Sequence, residues 1–214
     1  MKTSVPDQKF FRWSVYIIGL IIMSLGISLT ILADLGSAPW DVLHIGLTNQ
    51  FGLTIGTWTI IMGFITLITA TMLTKEWPKA GAYLNMILVG VFVDIHLFIL
   101  TTPSTLIGQG FMLVAGILIM GFGIGLYISP RCGAGPRDSF MLAVSEKTGM
   151  TASRIRGLME IVVLAFGWYL GGPVFFGTII FSLTIGPVTG HCLVLCQTWM
   201  DRRMERGISV ENIH

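Results

Sequence analysis

Charged residues are scarce in this chain. Asp, Glu, Lys and Arg make up 11% of its 214 residues, whereas a soluble domain carries roughly 25%. Apolar residues make up 53%, and the mean hydropathy is +0.80. These values exclude a sizeable soluble domain and indicate an all-α, polytopic membrane protein. The six predicted spans are residues 13–33, 53–73, 80–100, 106–129, 155–170 and 174–198.

Three of the connections between these spans contain no Lys or Arg. Of the 13 basic residues, 12 lie before the first span, after the sixth, or in the two remaining connections, and Arg156 lies at the beginning of the fifth span next to one of them. Because cytoplasmic loops of membrane proteins are the ones rich in Lys and Arg, this pattern predicts six spans with both termini in the cytoplasm. We therefore expect a multi-pass protein of the bacterial cell membrane.

Cysteine is also rare, and catalytic signatures are absent. Cys192 and Cys196 lie one helical turn apart beside His191, but no second cluster completes the four ligands of a metal site, and small bundle residues are the alternative interpretation. The chain contains no His-Glu-x-x-His, no Gly-x-Ser-x-Gly and no phosphate-binding loop. We predict no enzyme activity, no metal and no cofactor. No nucleic-acid partner is predicted, because topology accounts for the net charge of +2.

One segment of the chain occurs twice. Residues 22–54 and 119–151 align without a gap, 97 positions apart, and 11 of the 33 positions are identical. Three spans per copy would make the second half enter the membrane from the opposite side, which predicts inverted repeats. The predicted organisation is a cytoplasmic segment (1–12), repeat one (13–102), repeat two (103–199) and a cytoplasmic tail (200–214).

Each copy contains the pattern Gly-x-x-Pro-x-Asp directly after a span. The residues concerned are Gly36, Pro39 and Asp41, and Gly133, Pro136 and Asp138. Glycine suits the left-handed turn that stops a helix, proline suits the first position of the next one, and the carboxylate then meets the positive end of that helix. The pattern predicts short helices over residues 40–51 and 137–148, which are too short to cross a membrane.

Two interpretations of these short helices remain open, besides contacts between subunits. The helices could lie on the membrane surface with Asp41 and Asp138 as simple caps. Alternatively, they could dip into the membrane and line a cavity, where the two carboxylates would form a cation or proton site. We expect His44, on the first short helix, to be exposed.

Five further positions are candidates for the ligand or ion pathway or for its lining. Arg156 and Glu160 stand at i and i+4 in the fifth span, either as a neutralising pair or with Glu160 free for ion coupling. Arg137 either marks a cytoplasmic loop or attracts an anionic group. Gly186 and Pro187 are expected to break the sixth span near its middle, as a hinge, a cavity lining or a simple kink.

These motifs resemble the YczE/YyaS/YitT-type family of bacterial integral membrane proteins, most closely its YczE branch. The resemblance rests on residues 35–41 and 133–138, on Arg156 with Glu160, and on the pairs at 171–172, 177–178 and 186–187. It covers essentially the whole membrane region. It implies a helical membrane architecture and supplies no substrate.

Two functions are compatible with the sequence. The first is a small secondary transporter for an unspecified small molecule or ion, which could act as a homodimer in the bilayer. Asp41 and Asp138 would then be the coupling or substrate-facing acids, and Arg137 and Arg156 would meet an anionic group or lock Glu160. The second is a non-transporting accessory, regulatory or sensing protein that uses its basic cytoplasmic face.

Overall fold

The computed structural model describes residues 5–133 and 135–211, with side chains for 8–133 and 135–204; these ranges are helical and contain no strand. The all-α prediction is confirmed. The eight helices are α1 (Val5–Leu32), α2 (Pro39–Phe51), α3 (Ile55–Thr74), α4 (Ala80–Ile99), α5 (Leu106–Ile128), α6 (Pro136–Thr148), α7 (Ala152–Tyr169) and α8 (Phe176–Glu211). We call α1–α4 the first half and α5–α8 the second half.

Five helices in the described part of the chain are long and apolar enough to cross a membrane, where the sequence predicts six. Their apolar stretches are Gln8–Leu32, Ile55–Thr74, Ala80–Ile99, Leu106–Ile128 and Phe176–Met204. Helix α7 is not among them, because its 18 residues include Arg154, Arg156 and Glu160. Its outer surface is nevertheless apolar, with Ile161 and Phe166 exposed at 66% and 62%.

The two short helices form where the sequence predicts them. Each begins with proline at its first position, and each has 13 residues. Each also ends at a glycine, Gly52 or Gly149, with φ of 71° in both cases. A positive φ costs little at glycine, so these residues stop the helices without strain.

The turns that precede the short helices differ from the prediction in one respect. The left-handed residues that follow α1 and α5 are Asp34 (φ 53°) and Arg131 (φ 57°), not Gly36 and Gly133. The two glycines lie two residues further on, again with positive φ. They are also closely packed: a Cβ added at Gly36 would lie 2.6 Å from the Thr178 hydroxyl. Glycine is therefore required there for both conformation and space.

Helices α1 and α5 cross closely in antiparallel orientation at the centre of the fold. At four points a glycine of one helix lies against the backbone of the other, which allows close approach. The four pairs are Gly19 with Tyr127, Gly26 with Met120, Gly116 with Thr30 and Gly123 with Met23. A shift of 97 positions converts the first pair into the third and the second into the fourth, so the crossing has pseudo-two-fold symmetry.

The fourth helix of each half packs alongside the first and runs parallel to it. On α1, the Tyr16 hydroxyl donates to the Gly81 carbonyl at 2.6 Å, and the Ser28 hydroxyl donates to the Val93 carbonyl at 3.3 Å. On α5, Gly121 and Gly125 lie against the region of α8 around residues 188–192. Both pairs of helices thus run parallel, held by hydrogen bonds in the first half and by close glycine packing in the second.

Each short helix packs against the third helix of the other half. Helix α2 lies on α7, where a Cβ added at Gly46 would lie 2.7 Å from the Gly167 carbonyl oxygen. Helix α6 lies on α3, with Ala143 and Ala70 buried. The halves are therefore interlocked, and the start of each short helix faces the other half.

The halves differ in how their third and fourth helices pack. Helix α3 packs along α4, and Gly56 and Gly90 touch each other's backbone. Within the described residues, α7 makes no comparable contact with α8. Helix α8 continues through Gly186 and Pro187, which are exposed and do not line the cavity. The expected interruption and the cavity-lining interpretation are therefore wrong, while a kink at Pro187 stays a prediction.

We predict that Gly123→Ala destabilises the protein, because the added methyl group overlaps the backbone of Met23. Overpacking of this kind costs about 1–3 kcal/mol. Thermal unfolding of the purified protein, followed by loss of the monodisperse peak in size-exclusion chromatography, measures the effect. Gly110→Ala in the same helix is the control, since nothing lies within 4 Å of its added Cβ. Equal midpoints for the two variants would contradict the close crossing.

Candidate functional site

A cavity of about 280 Å³ lies between the two halves. All eight helices contribute to its lining. The residues are Met23, Ile27, Ala38, Pro39, Trp40, His44, Thr59, Met62, Gly63, Asn85, Met86, Val89, Met120, Ile124, Tyr127, Ile128, Gly135, Pro136, Arg137, Asp138, Met141, Arg156, Met159, Glu160, Phe181, Ile185, Thr189 and Leu193. The cavity is therefore enclosed by duplicated elements and lies beside the crossing of α1 and α5.

Methionine dominates the apolar part of the wall. Six of the 12 methionines of the chain line the cavity, on α1, α3, α4, α5, α6 and α7. Met23 and Met120 occupy equivalent positions of the two halves. Methionine side chains are unbranched and adapt to ligands of different shape, so this wall suits an apolar ligand surface without fixing one shape.

Both short helices begin at the cavity. Pro39 and Pro136 line it, and the residues before them, Ala38 and Gly135, make no side-chain cap. The first backbone hydrogen bonds are those from Val42 to Ala38 and from Ser139 to Gly135, at 2.9 Å each. The preceding N–H groups have no acceptor within their helix. Two positive helix ends therefore face the same space.

The Arg137 guanidinium stacks on the Trp40 ring, with 4.6 Å from its carbon to the ring centroid. These residues occupy equivalent positions in the two halves, 97 apart. Trp40 is buried and Arg137 is half-buried. No described carboxylate lies within 4.0 Å of the guanidinium. Stacking holds the cation in place and leaves its N–H groups free to donate.

Asp41 and His44 form a buried pair behind this cation. Asp41 is 2% and His44 is 1% exposed, with 3.9 Å between Asp41 Oδ1 and His44 Nδ1. The expectation that His44 is exposed is therefore wrong, because α2 packs between α3 and α7. His44 lines the cavity and Asp41 does not. Among the described residues, Asp41 Oδ2 and His44 Nε2 have no hydrogen-bond partner.

Asp138 differs from Asp41 in its surroundings. Its carboxylate lines the cavity, is half-buried and accepts a hydrogen bond from the Tyr127 hydroxyl at 3.4 Å. Tyr127 and Asn85 also lie close to the start of α6, since a Cβ added at Gly135 would lie 3.4 Å from Asn85 Oδ1 and 3.5 Å from the Tyr127 oxygen. Of the two motif aspartates, Asp138 therefore lines the cavity and Asp41 does not.

Arg156 and Glu160 form a pair at the edge of the cavity. The distance from Arg156 Nε to Glu160 Oε1 is 3.2 Å, and the side chains are 59% and 36% exposed. The structure therefore contains the i,i+4 pair that was one of the two interpretations. The opposite charges of Arg156 and Glu160 are thus paired with each other.

The motif glycines and the Gly186–Pro187 pair are not part of the lining. Gly36 and Gly133 act through backbone geometry, while Gly186 and Pro187 lie on the outer side of α8. His191 Nδ1 lies 2.8 Å from the Pro187 carbonyl oxygen within the same helix. In the described ranges, no group of three His, Cys, Asp or Glu residues is arranged to hold a metal.

Two features of this site, Asn85 and the methionine wall, are absent from the predicted site residues. Asn85 stands in the span over residues 80–100, well before the polar Asp94 and His96 near its other end. A polar side chain within a span is a signal for an inward-facing site. The methionines carry no such signal, because their spacing does not show which of them face the same space.

The fold and the site are accompanied by similarity along most of the chain. A family model described as a family of unknown function, DUF6198, matches residues 10–193. The chain belongs to the DUF6198 family. The match includes all the residues that line the cavity. No solved structure matches the chain.

Three relatives of this DUF6198 protein span most of its length. It is 45% identical to the "Uncharacterized membrane protein YczE" of Bacillus subtilis, over 85% of both chains. It is 33% identical to an "Uncharacterized protein" of Haemophilus influenzae, over 87% of this chain and 85% of the relative. It is 29% identical to the "Uncharacterized protein YyaS" of B. subtilis, over 84% and 90%. The resemblance to the YczE branch is confirmed, and the protein is a membrane protein.

We predict different accessibilities for the two motif aspartates in the detergent-solubilised protein. After removal of the native cysteines, Asp138→Cys should react with a small maleimide, because position 138 lines the cavity. Asp41→Cys should react at least ten times more slowly, because the Asp41 side chain is 3% exposed. Glu146→Cys, on the exposed end of α6, gives the rate of an open site. Similar rates at positions 41 and 138 would contradict the burial of α2.

Proposed function

We propose that the protein is a small secondary transporter of the bacterial cytoplasmic membrane. The observation that carries this proposal is the cavity between the two halves, at which both short helices begin. Many secondary transporters bind their substrates at the interface between structural repeats, next to the ends of discontinuous helices. A cavity lined by both apolar and ionisable side chains suits a site that binds and releases a solute.

We further propose that the halves are inverted repeats of three spans each. Two observations support this arrangement. The turns after α1 and α5 have matching left-handed residues, Asp34 and Arg131, and α2 and α6 end at glycines with the same φ. The antiparallel crossing of α1 and α5 also interchanges its glycine contacts when the halves are exchanged.

The sixth span in this proposal is α7. Helix α8 runs parallel to α5, since Gly121 lies against Val188 and Gly125 against Cys192. Two parallel helices in one membrane require the chain to cross back between them, and α7 is the helix available for that crossing. Its charges lie near its beginning, at Arg154, Arg156 and Glu160, where they would face the cytoplasm together with both termini.

In this proposal the ionisable residues of the cavity have distinct roles. Asp138 contacts the solute. The buried pair of Asp41 and His44 binds the coupled proton or cation. Arg137 binds the solute, and Arg156 keeps Glu160 paired in the resting state. Relaxation of that pair would free a carboxylate during transport.

An accessory or regulatory role is the second candidate, and exposed basic side chains favour it. Arg131, Arg154, Arg202 and Arg203 are all exposed on the side proposed to face the cytoplasm. Such a surface suits anionic lipids or an acidic partner. This role requires no passage from the cavity to either side of the membrane.

We predict opposite sidedness for two equivalent exposed positions, Asn49 at the end of α2 and Glu146 at the end of α6. In a cysteine-free background, Asn49→Cys should react with a membrane-impermeant maleimide in right-side-out vesicles, and Glu146→Cys should react in inside-out vesicles. The two variants control for each other, because they are 97 positions apart on matching helices. Reaction of both from one side would refute the inverted repeats.

A transporter also predicts access to its cavity from both sides. Thr59 lines the cavity, is half-buried and is small enough for replacement by cysteine. Thr59→Cys should therefore react with the impermeant maleimide in both vesicle orientations. Glu146→Cys, measured in parallel, shows that each preparation is sealed and oriented. Reaction of Thr59→Cys from one side alone would favour the accessory role over transport.

A further inference from the structure

We infer that the cavity binds a small amphipathic organic anion. Its negative group would lie between the first turns of α2 and α6, against Arg137, and its apolar part would lie along the methionine wall. The statement that this ligand is cargo rests on the proposed transport function, whereas the statement that it binds does not.

Both short helices begin with backbone N–H donors that have no acceptor within their own helix. The N–H groups of Trp40, Asp41, Arg137 and Asp138 precede the first intrahelical hydrogen bonds, and neither helix has a side-chain cap. The positive ends of both helices favour an anion in the space between them. The Arg137 guanidinium adds a full positive charge that no described carboxylate pairs within 4.0 Å.

A buried amide of the cavity is an independent indication of a ligand. Asn85 is 7% exposed and lines the cavity, and among the described residues its Nδ2 makes no hydrogen bond of good geometry, with the Tyr16 hydroxyl as a neighbour. A buried amide N–H group without a partner is costly, so its acceptor is expected to come from a ligand or from water. The Asn85 amide lies beside the start of α6, where a Cβ added at Gly135 would meet its oxygen, Oδ1, at 3.4 Å. Asn85 Nδ2 therefore adds one donor that a ligand in the cavity could use.

The carboxylates of the cavity are engaged in other interactions, which argues against a cationic ligand. Glu160 pairs with Arg156 at 3.2 Å, and Asp138 accepts from the Tyr127 hydroxyl at 3.4 Å. Asp138 also lies in the first turn of α6, where the helix end already favours a negative charge. Asp41 does not line the cavity. Arg137 is the cavity-lining cation that no described carboxylate pairs within 4.0 Å. Asp138 likewise has no described cation within 4.0 Å, and its negative charge is met by the end of α6 and by the Tyr127 hydroxyl.

The size and the wall of the cavity define the rest of the ligand. At about 30 Å³ for each water-sized group, a cavity of about 280 Å³ holds roughly nine such groups. Six methionine residues, more than of any other type, contribute to the lining. A ligand with one carboxylate or similar group and a short apolar body fits both features.

The test uses the purified full-length protein in nanodiscs of zwitterionic lipid. Binding of radiolabelled hexanoate is compared with that of hexan-1-ol and hexylammonium, and protein-free nanodiscs give the background. We expect hexanoate to bind at least ten times more tightly than either analogue. Hexylammonium binding as tight as that of hexanoate would overturn the inference, because it would show that the carboxylates determine the charge of the ligand.

Arg137→Gln should weaken hexanoate binding by about 10–100-fold and leave hexan-1-ol binding unchanged, because it removes a charge-assisted contact to the carboxylate. Arg154→Gln is the matched control, since Arg154 is exposed and does not line the cavity. Hexanoate binding that persists in a monodisperse Arg137→Gln protein would overturn the inference.

Gly135→Ala provides the same test if Arg137→Gln does not fold. The backbone at Gly135 has φ of −65°, and the added Cβ would meet its nearest atoms at 3.4–3.6 Å, so the variant keeps its fold. Its methyl group would cover the first N–H groups of α6 and weaken hexanoate binding, with Gly110→Ala as control. Unchanged binding would contradict the inference. Binding without access from both sides in the Thr59→Cys assay would instead refute transport alone.

Discussion

The close crossing of α1 and α5 determines where the other helices can lie. Because glycines remove the side chains at four points of contact, the two backbones approach each other near the middle of the fold. Each helix then holds its own partner, α4 or α8, along a different face. A space remains beside the crossing, and Met23 and Met120 line it without filling it. The cavity is thus a consequence of helix packing.

The interlocking of the short helices determines the chemistry of that cavity. Since α2 rests on α7 and α6 rests on α3, each short helix is held by the opposite half. Both helices therefore begin next to the cavity, and proline at their first positions removes one N–H group while leaving those of the next two residues free. Neither Ala38 nor Gly135 has a side chain that could accept a hydrogen bond from the first turn of its helix. Buried N–H groups without an acceptor destabilise the folded state, so a ligand or water is expected to accept from them.

Much of this architecture could be predicted from the sequence, since its signals are local. Proline and glycine mark the ends of α2 and α6, and apolar length marks the long helices. The burial of His44 could not be predicted, because it depends on the packing of α2 against α7, which no local pattern encodes. The continuity of α8 through Pro187 was missed because a proline inside a helix removes one backbone hydrogen bond but does not always end the helix. Contact between Trp40 and Arg137 likewise requires knowledge of both halves.

The contact between Trp40 and Arg137 depends on the sequence differences between the two copies of the repeated segment. Positions 40 and 137 are equivalent in the sequence repeat, and the fold brings them into contact. Two arginines there would repel one another in a partly buried space, and two tryptophans would provide no charge. Trp40 with Arg137 gives one cation that is held by an aromatic face and needs no carboxylate partner. Asp41 and Asp138 diverge in environment rather than in identity, since one is buried beside His44 and the other lines the cavity. Similar helices in the two halves thereby form a site whose two sides differ in charge. A solute with one charged end and one apolar end can match such a site.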